Sequence, residues 1–509
     1  MTRIGLVVHG QPPELVGGTE RLVVELADVL AGRGEQVEIF TGSIEWRPHF
    51  EVVRTTRAIG ASGAPGASGA PGASGAGGAS GAGGAPGAGG ATAAGSIGVV
   101  RVHRSDLFFE RWDKLHDPFV ERAFLAWLDA FRPQVVHVHH WARLTTTLVA
   151  CCRLRGVPVV LSLHDLFSSC PRYHRVKADL SFCDVPPSPD ACRHCAPRWR
   201  FQGDAEIDAS VSAFAAELRE EVALADALLA PTEGHGRRLL AWLGLQRELT
   251  VLPPASEVAL FPASRPLGGR VARPGDPLRV GTFGHLHPLK GVEVLLDAQA
   301  ALPDPSLVEL HVWGAAPDAA TEAALRARAG ARPVVWHGAY SPADLSAAPV
   351  DAVVLPTLCA ESYSFALDEA CALGVPVLAT DLGALADRAT PRLSLFPRGD
   401  AATLARALQR LALEPAPRAA MSAAPAPPRQ SSTEHLAQLL PIYARLAAAG
   451  CRREPTAAER SAEESALSRR ERFFALREAG LQELLRSEGW EDVVASLRAE
   501  NEGLRGRPA

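Results

Sequence analysis

Lysine is almost missing from this chain of 509 residues: among 52 basic residues only Lys114, Lys177 and Lys290 are lysines. Each of those positions is conspicuous for that reason. Positive charge is not in surplus either. With 57 acidic residues and a formal net charge of -5, the chain offers no general basic surface for nucleic acid. No apolar run approaches the ~18 residues needed to span a bilayer. The start, Met1 to Gly10, holds one short apolar run and no small-residue cleavage pattern. It reads as a first strand rather than a signal peptide, and the chain is expected in the cytoplasm. Its nine cysteines are then expected as thiols or metal ligands rather than a disulfide framework. A G-x-G-x-x-G is also lacking after the first apolar run, which weakens a dinucleotide reading of the amino-terminal half.

What is present is a repeated alternation of short apolar runs and helix-length segments. In residues 1–255 the runs lie at Ile4 to Val8, Val37 to Thr41, Val135 to Val138, Val159 to Leu163 and Ala227 to Ala230. The pattern restarts in residues 256–431 at Arg279 to Phe283, Glu309 to Trp313, Val334 to Trp336 and Ala352 to Leu355. Two such series in a chain too long for one core predict two doubly wound α/β domains. Residues 58–98 are almost wholly Gly, Ala, Ser and Pro, which predicts a flexible, disordered insertion in the first domain. Residues 415–428 form a second low-complexity stretch. Residues 432–450 predict a helix whose stripe is Leu436, Leu439, Leu440, Tyr443 and Leu446. Residues 451–509 predict a charged helical tail. The segment Asp117 to Phe131 is apolar enough to touch a membrane, but its polar side mixes Glu121, Arg122, Asp129 and Arg132, so core packing is expected.

Several positions at the carboxyl ends of the expected strands carry chemistry. Glu361 follows the run Val353 to Pro356, and Glu369 lies about two turns into the next helix, which Gly374 ends. Both carboxylates then face one crevice, where helix N-termini hold anions and carboxylates hold sugar hydroxyls. Gly17 and Gly18 lie between the first strand and first helix, where glycines let backbone N–H groups approach a phosphate. Lys290, after Gly281 to Phe283 and before a helix, is placed to stabilise charge on a leaving diphosphate. His164-Asp165 follows the strand at Val159 to Leu163 and is expected to point into the interdomain crevice. Cys170, Cys183, Cys192 and Cys195 crowd the helix-poor segment 165–200, which predicts a structural zinc site standing in for a missing local core.

Together these residues resemble the retaining glycosyltransferases of family 4, whose fold, GT-B, consists of two facing Rossmann-like domains with a cleft between them. The most specific element is Glu361 and Glu369 with Ala370, Gly374, Pro376 and Val377, similar to the family's Glu-x7-Glu motif; Gly17-Gly18 and Lys290-Gly291 fall in the expected order. The resemblance implies transfer of a sugar from a nucleoside diphosphate sugar to a hydroxyl of a glycan, glycolipid or small molecule, without a catalytic divalent metal. It implies that Glu369 holds the ribose, Glu361 a sugar hydroxyl, and the N–H groups of Phe365 and Ala366 the diphosphate. Lys290 would neutralise the leaving group and His164 would line the reacting centre. The helix at 432–450 would return to the first domain, and peripheral membrane contact at the inner face is conceivable. Two positions depart from the family: His285 replaces an arginine and Ser364 replaces a glycine. A branch with a cysteine-rich loop is similar at 165–200. A non-catalytic GT-B scaffold and a nucleotide-sugar epimerase or phosphorylase on the same fold are the alternatives.

Overall fold

The computed structural model describes all residues except 16, 46, 48, 61–95, 105–111, 113–115, 196–197, 199–201, 257–275 and 346–347, and past residue 450 it describes only 456–458, 461, 464, 467–468 and 471. Its frame is two sheets. The first contains β1 (Arg3–Val8), β2 (Gln36–Gly42), β3 (Glu51–Ala58), β4 (Ser96–His103), β5 (Val135–Val138), β6 (Val159–Ser162), β7 (Ala227–Ala230) and β8 (Thr250–Val251). Their order is β3-β4-β2-β1-β5-β6-β7-β8, parallel throughout except for the β3/β4 pair. The second contains β9 (Leu278–Phe283), β10 (Val308–Trp313), β11 (Val334–Gly338), β12 (Ala352–Leu355), β13 (Val377–Thr380) and β14 (Leu393–Phe396), in the order β11-β10-β9-β12-β13-β14 and wholly parallel.

Strands β5, β6, β12 and β13 are buried at every residue, as expected where helices cover both faces of a parallel sheet. Along β1 the side chains alternate between two cores. Ile4, Leu6 and Val8 pack with Leu26 and Leu30 of the helix Gly18–Gly32, while Val7 joins Phe40, Phe124 and Trp127 on the other face. The helix Pro118–Phe131 supplies that second face: Val120, Phe124, Trp127 and Leu128 are buried, and the Asp117 carboxylate caps it by accepting from the N–H groups of Phe119 and Val120. Its apolar side is therefore core. The other side is taken up as well, since Arg122 pairs with Glu464 at 2.6 Å and Glu471 at 2.5 Å, and donates to the Ser468 hydroxyl at 3.3 Å. Leu467, between those residues, is buried in the same core. No helix among the described residues is long and apolar enough to cross a membrane.

The helix Ser432–Ala449 begins with a reciprocal cap between Ser431 and Glu434 and lays Leu436, Leu439, Tyr443 and Leu446 against Ile4, Leu6 and Val135 of the first sheet. The Tyr443 hydroxyl lies 2.5 Å from His137 Nδ1 on β5. Residues of this helix thus complete a core begun by the first strand.

Two regions differ from the sequence expectation. The borders of the Gly/Ala segment are strand: Ala58 ends β3, and Ser96, Ile97 and Gly98 open β4, its antiparallel partner. The middle of the expected insertion lies outside the described residues. Strand β3 escaped notice because it is an exposed edge, Glu-Val-Val-Arg-Thr-Thr-Arg-Ala, with little apolar signal. The low-complexity stretch at 415–428 contains a helix, Pro415–Ala423, where Pro415 occupies the first turn and the alanines favour helix. Leu439 is fully buried, so Leu439→Ala should cost about 2–5 kcal/mol, read as a shift of the urea midpoint. A change below about 0.5 kcal/mol, the size of an ordinary surface effect, would contradict the packing of this helix on the first sheet.

Candidate active site

Each sheet reverses its strand order at one place: between β1 and β5 in the first, and between β9 and β12 in the second. Loops that leave neighbouring strands at such a point run to opposite faces and open a crevice at the carboxyl edge, where ligands settle in open α/β sheets. The loop after β9 carries Lys290 and the loop after β12 carries Glu361. Lys290 Nζ donates to Glu361 Oε1 at 2.8 Å, so the two loops meet through their charged side chains.

Backbone contacts stitch these loops together. Leu358 N–H and the Thr357 hydroxyl both donate to Leu289 O, at 2.7 and 3.1 Å. Gly291, directly after the lysine, has φ +69, and a Cβ there would stand 2.0 Å from Pro356 O. Burial alone would raise the Glu361 carboxyl, but Lys290 and the Ser364 hydroxyl hold it below its ordinary value. Burial would likewise lower Lys290, and the charge of Glu361 keeps it above the usual lysine value. The lysine is thus a fixed cation.

Ser364 precedes the helix Phe365–Ala372 with φ +71, in the left-handed region where a side chain costs roughly 1–2 kcal/mol. That geometry accounts for the glycine preferred here. Arg388 secures the turn from behind: its guanidinium donates to Tyr363 O at 2.9 Å, Ser364 O at 3.3 Å and Asp368 Oδ1 at 2.5 Å, and stacks 4.0 Å from the Tyr363 ring centre. Both members of the Arg388–Asp368 pair are buried, and removing one partner from such a pair costs about 3–5 kcal/mol. The first-turn N–H groups of Phe365 and Ala366 are thereby held at the crevice, where the helix end favours an anion.

Glu369 lies one turn further along this helix and accepts from the Tyr340 hydroxyl at 3.0 Å. Burial pushes its carboxyl up to about 7, against the lowering effect of the Tyr340 hydrogen bond. Tyr340 borders an open cavity of ≈ 360 Å³ together with Trp313, His337, Ala339, Asp344, Ala348 and Pro349. The Trp313 and His337 rings stack face to face, 4.0 Å apart and 4° from parallel. A flat aromatic wall beside a carboxylate suits a nucleoside, whose base stacks and whose ribose donates hydrogen bonds.

The first half meets this site at Gly18. A Cβ on Gly18 would lie 3.2 Å from the Phe365 ring, so the Gly17-Gly18 loop faces the start of the helix Phe365–Ala372 across the cleft. Thr232 donates to Asp387 Oδ2 at 2.9 Å, a second join between the halves. His164 belongs to a histidine cluster. Its Nε2 lies 2.9 Å from His139 Nδ1, the two rings stack, and burial lowers it to about 3. Around it lie His137, His139, His140, His235 and His435. Beside it, the Ala142 N–H on His140 Nδ1 fixes the tautomer that donates from Nε2 to Asp165 at 2.9 Å.

The four cysteines expected as zinc ligands lie in one neighbourhood. Cys170, Cys192 and Cys195 feel one another electrostatically, as do Cys183 and Cys192. Among the described residues, however, no three His, Cys, Asp or Glu side chains converge to hold a metal ion. Burial pushes the Cys170 thiol up to about 12, the state of a buried apolar group. The segment has the core it seemed to lack: Cys192 and Phe182 pack into the first core, and buried Arg175 donates to Ser169 O and Cys183 O while stacking 4.0 Å over Trp242.

Sequence reasoning passed over Arg388, Asp387 and Arg21. Their partners are far along the chain and no local motif marks them. His285 is held below its ordinary value by desolvation, Lys290 and Arg21. Gly291→Ala should reduce stability by well over the ~1 kcal/mol of a left-handed residue alone, because its Cβ meets a carbonyl. Gly399, with φ +71 and its nearest neighbour at 3.9 Å, is the matched control. Equal losses at the two positions in chemical unfolding would contradict the stitched-loop geometry.

Comparison with known proteins agrees with this arrangement half by half. Residues 79–260 match the model described as Glycosyltransferase Family 4, and residues 277–414 match Glycosyl transferases group 1. A protein named D-inositol 3-phosphate glycosyltransferase from Xylanimonas cellulosilytica is 27% identical over 406 residues, 75% of this chain and 80% of the relative. One of the same name from Nocardia farcinica is 32% identical over 186 residues, 33% of this chain, and the match spans only 40% of that relative's length. Among solved structures, sucrose-phosphate synthase from Thermosynechococcus elongatus superposes with a TM-score of 0.58 at 19% identity, over 88% of this chain and all of the other. Anabaena HepE, solved with UDP, gives 0.53 at 15% identity, over 87% of this chain and all of the other. At those identities the structures speak for the fold alone. The chain belongs to the group 1 glycosyl transferases of family 4, built on the GT-B fold.

Proposed function

We propose that this protein moves a sugar from a nucleoside diphosphate sugar to an acceptor hydroxyl with retention at the anomeric carbon. The observation that carries the reading is the fixed Lys290–Glu361 pair at the switch point of the second sheet, one loop away from Glu369 and its aromatic cavity. The base would lie in the cavity against Tyr340, the ribose on Glu369, and the diphosphate on the N–H groups of Phe365 and Ala366. HepE, solved in complex with UDP, favours a nucleotide of this kind.

In the reaction the bond from the anomeric carbon to the terminal phosphate oxygen breaks, and the acceptor oxygen bonds to that carbon from the same face. The acceptor proton passes to the departing phosphate oxygen, so atoms and charge balance without a protein nucleophile. Lys290, a cation throughout the neutral range, stabilises the charge that grows on the phosphate. Glu361 fixes the lysine and presents its second oxygen to a sugar hydroxyl. It does not serve as a general acid, since its carboxyl lies below the ordinary value. His164 and its neighbours line the acceptor side. Charge neutralisation falls to these groups without a catalytic divalent metal. The two relatives' name puts a phosphorylated polyol forward as the first acceptor to try, within the wider class of glycans, glycolipids and small molecules. A cytoplasmic setting fits the described cysteines, all of which are free thiols.

Lys290→Ala should lower kcat by at least about tenfold through lost leaving-group stabilisation, with the protein still folded; an unchanged rate in a transfer assay would remove the lysine from the mechanism. Proton NMR of the first-formed product should show the anomeric configuration of the donor, and inversion would overturn the same-face reaction. Donor binding should strengthen as pH rises through about 7, because the ribose needs the ionised Glu369 carboxylate. Tyr340→Phe removes the hydrogen bond that lowers Glu369, so the midpoint of that profile should move to higher pH. Binding that weakens as pH rises would mean that Glu369 is protonated in the complex.

A further inference from the structure

Lys290 is already neutralised by Glu361, His285 is held below its ordinary value, and Arg388 is committed to Asp368. A bound diphosphate brings at least two negative charges to this crevice, so a further cation would help to hold it. The first half offers one. Gly18 approaches Phe365, and on their helices Arg21 follows Gly18 by three residues while Glu369 follows Phe365 by four. Those spacings put Arg21 on the face of its helix that looks at the Phe365–Ala372 helix. The charge of Arg21 is indeed felt by His285, Tyr340 and Glu369, three groups of the opposite half. Its side chain is exposed, and among the described residues no hydrogen bond or ion pair holds its guanidinium. A cation in the first turn of a helix also opposes the helix dipole, so its position is unfavourable unless an anion comes near.

We propose that Arg21 is the second cation of the donor site, reaching across the cleft from the helix Gly18–Gly32 onto the diphosphate. The inference rests on the donor reading above and adds to it a residue of the other half. Binding the donor then draws the two halves together, since the diphosphate is held by Lys290 and the Phe365 helix on one side and by a guanidinium fork on the other. Arg21 serves binding and closure rather than bond-making.

The test uses calorimetry on the full chain with UDP, ADP and GDP, and then with the monophosphate of whichever binds most tightly. Arg21→Ala should weaken the diphosphate by at least about tenfold, the usual cost of a charge-assisted hydrogen bond, and the monophosphate by clearly less. The thermal midpoint without ligand should stay unchanged, because the side chain is exposed. Adding His285→Arg to Arg21→Ala should restore much of the loss, since position 285 lies between Lys290 and Arg21, whereas Arg33→Ala, at the far end of the same helix, should do nothing. An unchanged diphosphate affinity, an equal loss for mono- and diphosphate, or a loss that the added His285→Arg does not reduce would overturn the role of Arg21. Failure of the unaltered protein to bind any of the three diphosphates would instead overturn the donor reading, and this inference with it.

Discussion

The ion pair between Lys290 and Glu361 is the contact on which the arrangement of the second half depends. It joins two loops that leave neighbouring strands, β9 and β12, at the point where the sheet reverses its order. Everything around it keeps those loops in register: the donors from residues 357 and 358 to Leu289 O, the left-handed Gly291 under Pro356 O, and Arg388 behind Tyr363 and Ser364. With the loops fixed, the helix Phe365–Ala372 has one possible direction. Its Glu369 accepts from Tyr340, which borders the aromatic cavity. Charge preorganised in this way needs no rearrangement when a leaving group develops negative charge, which is how such sites gain most of their effect.

The first half contributes closure and a separate polar core. Gly18 against Phe365 and Thr232 against Asp387 are its contacts with the donor side. Behind them, buried His137 and His139 and half-buried His164 form a chain that ends on Tyr443 of the helix Ser432–Ala449, with desolvation holding each histidine below its ordinary value. That helix thereby fastens the histidine cluster from outside, and the described residues near 464–471 cover the adjoining helix Pro118–Phe131 through Arg122 and Leu467.

Much of the second half could be read from sequence because its signals are local. A short apolar run, a polar loop and a helix start recur in order, so Lys290, Glu361, Phe365 and Glu369 fall at strand ends without knowledge of the fold. The first half was legible in its strands and its paired glycines, but not in the contact of His164 with His139, which follows a different strand. Arg388 and Arg21 were missed for the same reason: each lies near residues brought close only by tertiary packing. The organisation of the cysteine segment was not legible either: buried Arg175, stacked on Trp242, supplies part of it from a residue type that sequence reading assigns to the surface. Strand β3, exposed and charged, carries no pattern that distinguishes it from the insertion it borders.

The central claim is that the donor nucleotide is held at the carboxyl edge of the second sheet, with its diphosphate between Lys290 and the start of the Phe365 helix. A crystal structure with a bound nucleoside diphosphate tests it most directly. The account predicts the terminal phosphate within hydrogen-bond distance of Lys290 Nζ and of the Phe365 or Ala366 N–H, the ribose hydroxyls on Glu369, and the base against Tyr340. A nucleotide seated instead in the histidine cluster of the first half, with Glu369 still bonded only to Tyr340, would contradict it.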